Sequence, residues 1–301
     1  MYDIIGDIHG YSSKLKELLL KLEYKEARGV WSHPARKAIF VGDYIDRGPG
    51  IRETLHLVRS MVEVGSAIAL MGNHEYNAVA YNLHLADGSH LRKHSKKNTH
   101  QHQQTLDQFK NYPGEWQSFL DWFYTLPLFL DLENIRVVHA CWDEDHIHWL
   151  KTNKYLTLNN ELLLASHQSD TMAYKVINDT LKGKECNIPE AYAWHDKDGH
   201  PRTSNRIKWW VNPGTNNFYE FLFDCPPALS DQKIPADVRF NIYPANAPPV
   251  FFGHYWLEDK YPVIQAANVI CVDYSVAKEG ALVAYRWSGE EVVDNRHFVS
   301  V

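Results

Sequence analysis

Five short segments concentrate the polar side chains that could act together: Gly-Asp-Ile-His-Gly at Gly6 to Gly10, Gly-Asp-Tyr-Ile-Asp-Arg-Gly at Gly42 to Gly48, Gly-Asn-His-Glu at Gly72 to Glu75, Val-His-Ala at Val138 to Ala140, and Gly-His at Gly253 to His254. Carboxylate, imidazole and carboxamide are the groups that hard and borderline divalent cations take as ligands, and a pair of cations needs one carboxylate able to bridge them. The glycines let the backbone turn sharply beside a crowded, charged site. Taken singly, each segment has a plainer reading. Asp7 could cap a helix, Gly72 to Glu75 could be a solvated turn, and His139 or His254 could be an ordinary hydrogen-bonded histidine. Taken in order, each behind an apolar lead-in, and with two aspartates and an arginine crowded into Gly42 to Gly48, they point to one site.

The elements that must position these segments are legible around them. Ile4-Ile5, Ala38 to Val41 and Ala67 to Met71 read as short strands that run into the first three segments. Leu15, Leu18, Leu19 and Leu22 then mark one face of a helix, as do Leu55, Val58, Met61 and Val62. Strands alternating with helices imply a layered α/β architecture with right-handed crossovers, in which loops at the carboxyl ends of the strands collect functional groups. Ile135 to Val138, Val250 to Phe252, Asn268 to Asp273 and Gly280 to Trp287 read as further strands.

Between them, residues 82–112 form a polar, His-rich stretch that reads as an exposed insertion or helical lid, and 142–249 reads as a cap or specificity region on a single domain of residues 1–301. His84, His90, His94, His100 and His102 are irregularly spaced among Lys, Ser and Gln, which favours a solvated face over a further metal site. Trp209-Trp210 reads as packing rather than as a platform for a base.

The 301 residues carry 37 acidic and 31 basic side chains with no long run of one sign, so nothing predicts a duplex nucleic acid partner. Four scattered cysteines form no CxxC pair, no apolar run is long enough to span a bilayer, and the chain opens directly on a strand; a reducing, cytoplasmic setting is the expectation.

The five ordered motifs, from Asp7 to His254, resemble the calcineurin-like metallophosphoesterase superfamily, in the branch of the Ser/Thr phosphoprotein phosphatases and the bacterial diadenosine tetraphosphate hydrolases. The resemblance implies a sandwich of two mixed β-sheets flanked by helices (αββα). It implies a dinuclear centre in which Asp7 and His9 bind the first metal, Asp43 bridges, and Asn73, His139 and His254 complete the second. Manganese, iron and zinc all accept such ligands. It implies that a metal-bridged hydroxide attacks phosphorus in line, that Arg47 grips the phosphoryl oxygens, and that His74, oriented by Asp46, protonates the leaving oxygen. Arg202 and Arg206 are candidates for a second phosphate clamp, although the motifs do not fix where they lie.

The expected substrate is a phosphorylated one: phosphoprotein, nucleotide or small phosphate ester. Asp-Arg-Gly-Pro-Gly at Asp46 to Gly50 is similar to the diadenosine tetraphosphate hydrolases, whereas Cys271 to Gly280 lacks their Asp-Thr-Gly-Cys form. A Ser/Thr phosphatase-like phosphomonoesterase is therefore placed first and a dinucleoside polyphosphate hydrolase second. A non-catalytic scaffold of the same fold would have lost a ligand, and none of the expected ligands is missing.

Overall fold

The computed structural model describes the chain apart from residues 189–193, 196–200, 213–216 and 235–240, and apart from the side chains of residues 194, 195, 201 and 202. Two mixed sheets form its centre. In the first, Tyr2–Ile5 lies parallel to Lys37–Phe40, which lies parallel to Ala67–Ala69. Ala281–Trp287 pairs antiparallel with the other edge of Tyr2–Ile5 and carries Asp273–Tyr274 and Phe298–Ser300. In the second, Arg136–Val138, Val250–Phe252 and Val269–Cys271 run parallel, with Phe129–Asp131 antiparallel at the edge.

The alternation of side chains along each strand explains how the sheets stack. Ile4, Ile39, Val137, Phe251 and Ile270 point between the sheets and form one buried cluster. Their neighbours Ile5, Phe40, Val138, Phe252 and Cys271 point outward into a second cluster shared with the helices. The two mixed sheets flanked by helices are the αββα arrangement expected from the sequence.

Helix Ser12–Lys21 buries Leu15, Leu18 and Leu19, and helix Ile51–Glu63 buries Leu55, Val58 and Met61, so the leucine spacing chose the buried face in both. Each such side chain contributes roughly 1.5–3 kcal/mol by leaving water. At the amino end of strand Tyr2–Ile5, remote from the motif loops, Arg36 donates to both Asp3 carboxylate oxygens at 2.9 and 3.0 Å and to the carbonyls of Tyr2 and Trp287 at 2.8 Å each. That buried pair ties two strands of the first sheet together.

Residues 82–112 contain helix Lys96–Phe109, capped by Ser95 Oγ, which accepts from Asn98 N. His102, Thr105 and Phe109 are its buried face. Residues 142–249 hold helices Glu144–Thr152, Asn160–Ala165 and Met172–Lys182, and strand Glu185–Asn187 paired with Ser204–Arg206. Ala140 N donates to Thr180 O at 3.0 Å, which fastens helix Met172–Lys182 to the loop after Arg136–Val138. Trp209 is 2% exposed, donates from its indole to Ala140 O at 3.0 Å and packs on Phe252, as the packing reading requires. The four cysteines are unpaired. Among the described residues, no helix is long and apolar enough to cross a membrane.

Candidate active site

Because Tyr2–Ile5, Lys37–Phe40 and Ala67–Ala69 are parallel, the loops that follow them emerge on one edge, and the same holds for the parallel strands of the second sheet. The five motifs therefore converge. Their backbones are tightly wound: His9, Asp43, Asp46 and His254 have φ of 50°, 55°, 85° and 66°, in the left-handed region that side chains other than glycine seldom enter. Strain clustered in this way is maintained only where the surroundings over-determine it, and it concentrates at functional sites. Gly42, at φ 115°, touches Gly72 so closely that a Cβ would strike the Gly72 backbone and His139 Nδ1. Two glycines are what let the second and third motif loops lie against each other.

Asp43 sits at the centre. Its Oδ2 is 3.8 Å from His9 Nε2 and 3.9 Å from His74 Nε2, and its Oδ1 is 3.5 Å from His139 Nε2. Two groups of side chains therefore share this one carboxylate: His9, Asp43 and His74, and Asp43, His139 and His254. Asp7 lies beside them, its Oδ2 accepting from His254 N at 3.0 Å. The histidines are held in the orientation that suits a ligand: His9 Nδ1 donates to Ile45 O at 3.0 Å and His139 Nδ1 to Val41 O at 2.8 Å, which turns Nε2 of each ring toward Asp43.

The donor set fits bound cations. Asp7 Oδ1 and His254 Nε2 are buried with no hydrogen-bond partner. Asn73 Oδ1 is 3.0 Å from His139 Nε2, 3.3 Å from Asp43 Oδ2 and 2.6 Å from His254 Nδ1. Rotating the carboxamide would let its NH2 donate to these acceptors, but the oxygen-inward orientation adds one more lone-pair donor to a buried set in which Asp7 Oδ1 and His254 Nε2 are already without a partner, and such a set is stabilised by positive charge. Burial, then the Asp273 and Asp43 carboxylates, push Asp7 well above the usual carboxylate range. Burial, then His74, pulls His9 down to about 4, which favours the neutral ring that a metal takes. Asp43 is also buried, but the neighbouring His139 and His74 outweigh that and hold it ionised.

Around this centre lie groups that could transfer a proton. His74 Nδ1 is 2.6 Å from Asp46 Oδ2, so its Nε2 edge faces the site. Burial alone would lower His74, but Asp43 and then Asp46 lift it to about 9, which keeps the ring protonated and able to donate; a cation beside Asp43 would weaken that lift. Arg47 is exposed and lines both the cleft formed by Asp7, His9, Asp43, Asn73 and His254 and a neighbouring cavity of about 540 Å3. Arg206 lines the same cavity beside His254, with Nη1 3.4 Å from His254 O and a buried Nε that has no partner. Arg202 lies on the short strand Pro201–Arg202, but its side chain is outside the described residues.

Three residues in or beside the site escaped the sequence reading. His102 is not on a solvated face: it is 4% exposed, and its Nδ1 is 2.6 Å from Asp46 Oδ1. Only its place on the buried side of helix Lys96–Phe109, in phase with Thr105 and Phe109, could have signalled this. Glu75, fully buried, accepts from the backbone N–H groups of Asp43, Tyr44 and Gly72 at 2.8, 2.8 and 3.1 Å, and so clamps two motif loops together. Asp273 lines the same cleft as Asp7, His9 and Asp43 and accepts from Trp256 N at 2.6 Å, fixing the loop after His254.

The two-sheet fold with these side chains gathered on one edge is that of a metallophosphoesterase, and the chain belongs to the calcineurin-like phosphoesterase family, whose model matches residues 2–255. It is similar to the asymmetrical bis(5'-nucleosyl)-tetraphosphatase PrpE of Oceanobacillus iheyensis, with 33% identity over 46% of this chain and 54% of that one. The alignment thus spans about half the length of that relative. The symmetrical bis(5'-nucleosyl)-tetraphosphatase of Vibrio vulnificus is 24% identical over 97% of both chains. A cold-active protein tyrosine phosphatase shares the fold, with a TM-score of 0.52 and 18% identity over 94% of this chain and 73% of that one.

Proposed function

We propose that this protein hydrolyses phosphoester bonds at a centre of two cations, held by Asp7, His9, Asp43, Asn73, His139 and His254. The observation that carries the reading is the position of Asp43, whose two oxygens face His9 Nε2 at 3.8 Å and His139 Nε2 at 3.5 Å, the placement a bridging carboxylate needs. Bound metal ions of this kind acidify a water nucleophile and offset phosphoryl charge. Arg47 and Arg206 bind the phosphoryl oxygens from the cavity side. His74, set by Asp46, gives its proton to the leaving oxygen. Manganese, iron and zinc remain candidate metals, and the expected cellular setting is the cytoplasm.

Of the two substrate readings, phosphomonoester was placed first on the sequence. The cavity favours the second, a dinucleoside polyphosphate, because Arg47, Arg92, Lys97, Lys182 and Arg206 all line it. The names of the two bacterial relatives agree with that choice. Region 142–249 acts as the specificity region in this reading, since it supplies Lys182, Glu185 and Arg206 to the lining.

Turnover of metal-stripped and manganese-restored protein against p-nitrophenyl phosphate, a phosphopeptide and diadenosine tetraphosphate tests the reading. Metal-dependent release of nucleotide from the tetraphosphate, faster than turnover of the monoesters, is the expected result. Silence on all three with metal bound would overturn it.

A further inference from the structure

We propose that Arg92 and Lys182, on the lining of the same cavity, form a second anion subsite that holds a further phosphoryl group of a substrate with linked phosphates. This rests on the phosphoester reading of the neighbouring centre.

The cavity of about 540 Å3 is lined by Arg47, His74, Arg206 and His254, and also by Arg92, Lys182, Asn77 and Gln101. Its volume suits a small-molecule ligand larger than one phosphate. Arg92 is half-buried, and its guanidinium donates to Asn77 Oδ1 at 3.2 Å and to Gln101 Oε1 at 3.1 Å. Lys182, in the last turn of its helix, donates to Asn178 Oδ1 at 2.8 Å and lies 5.2 Å from the Tyr76 ring centre. These are neutral partners. Among the described residues, neither cation has a carboxylate within ion-pair distance. Of the carboxylates on the lining, Asp46 is already engaged by His74, His102 and Thr105, and Glu185 accepts from Ser204 Oγ at 2.6 Å.

Two half-buried cations side by side repel each other and lose hydration, a cost that is offset when an anion lies against both. The repulsion is felt: burial and then Arg92 pull Lys182 down to about 8, which still leaves it charged at neutral pH. The guanidinium offers a planar fork of donors and the ammonium a compact charge, and phosphate oxygens accept from both. A single phosphoryl group at the metal centre is already served by Arg47 and Arg206. The charge at Arg92 and Lys182 is therefore surplus for a simple monoester and matched to a second phosphoryl group.

The test compares AMP, with one phosphoryl group, and ADP, with two, as competitive inhibitors of p-nitrophenyl phosphate turnover, with manganese in excess over nucleotide. The variants are Arg92→Gln, which keeps a polar group beside Asn77 and Gln101, and Lys182→Met, which keeps the stem against Tyr76. The ratio of the ADP to the AMP inhibition constant should rise about tenfold or more in each variant, the effect of one lost charge-assisted contact. A ratio that stays within about twofold of wild type in both would overturn the subsite. If Arg92→Gln melts early, Lys182→Met alone decides. Should the wild type fail to turn over p-nitrophenyl phosphate, calorimetric binding of ADP and AMP to wild type and variants still reads the ratio, and silence on all three substrates of the panel above remains the separate result that fails the phosphoester reading.

Discussion

His74 Nδ1 and Asp46 Oδ2 are 2.6 Å apart, and the other oxygen of the same carboxylate is 2.6 Å from both His102 Nδ1 and Thr105 Oγ1. Asp46 is thus fixed on both sides, and the His102 and His74 hydrogen bonds hold it ionised against the effect of burial. His102 acts through Asp46 as a positioning residue. His102→Ala should lower kcat about tenfold for phenyl phosphate, whose leaving group needs a proton, and less for p-nitrophenyl phosphate, whose leaving group does not. Equal losses on both esters would show that His102 serves structure alone. His74→Asn should cost more, roughly a hundred- to ten-thousandfold on the poor leaving group, with its metal retained.

Asp43→Asn should empty the centre. The amide cannot bridge two cations as a carboxylate does, and the carboxylate faces His9 and His139 from its two oxygens. Metal content measured by atomic emission after gel filtration should fall, with loss of turnover; full metal occupancy in the variant would refute the bridging role.

Glu75→Gln should loosen the centre without touching it. Glutamine would turn an NH2 toward backbone N–H groups that Glu75 now accepts from, at a cost of about 1–3 kcal/mol for a buried donor left unpaired. Metal affinity should fall about 10- to 100-fold, as it does when support behind a ligand is removed. A metal titration monitored by recovered activity measures this, and Glu75→Asp, too short to reach all three amides, should not restore it.

Arg206→Ala should reduce kcat/KM about 100- to 1000-fold while metal stays bound, because a donor aimed at developing phosphoryl charge is lost. Orthophosphate inhibition should weaken in parallel. A change in metal content instead would mean that Arg206 supports His254 rather than substrate.

Asp179 offers a pH test remote from the metal ligands. Burial pushes its carboxyl up to about 7, with Asp143 and Glu185 adding to that and Lys184 and Lys175 opposing it. A carboxyl raised in the folded state binds its proton more tightly there than in the unfolded chain. Stability from this group is therefore greatest at low pH and falls as pH rises from about 4 to about 7. Asp179→Asn removes that fall, so the variant should melt higher than wild type at pH 8, by roughly 2–4 °C per kcal/mol recovered, and the gain should shrink at pH 4. A gain of equal size at both values would exclude ionisation as its cause.

Much of the candidate site could be read from local sequence because its proposed ligands sit immediately after strands. Asp7, Asp43, Asn73, His139 and His254 each follow an apolar run, and parallel pairing carries such positions to one edge. The leucine spacing of Ser12–Lys21 and Ile51–Glu63 likewise set their buried faces. His102 could not be read so directly. Its polar neighbours on helix Lys96–Phe109 mask a buried face of only His102, Thr105 and Phe109, and its partner Asp46 is 56 residues away in the chain.

The sequence by itself determined the layered α/β pattern, through the short-range order of strand, glycine turn and polar side chain, and its ordered motifs carried the resemblance that implied the family, the two-sheet architecture and the candidate ligands. Tertiary structure alone decided which distant groups meet: Glu75 across two loops, His102 behind Asp46, Arg206 beside His254, and Arg92 with Lys182 on one cavity wall. Helices and loops far apart in sequence set those meetings by how they pack, and no local pattern of residue types encodes the distance between two side chains on separate elements.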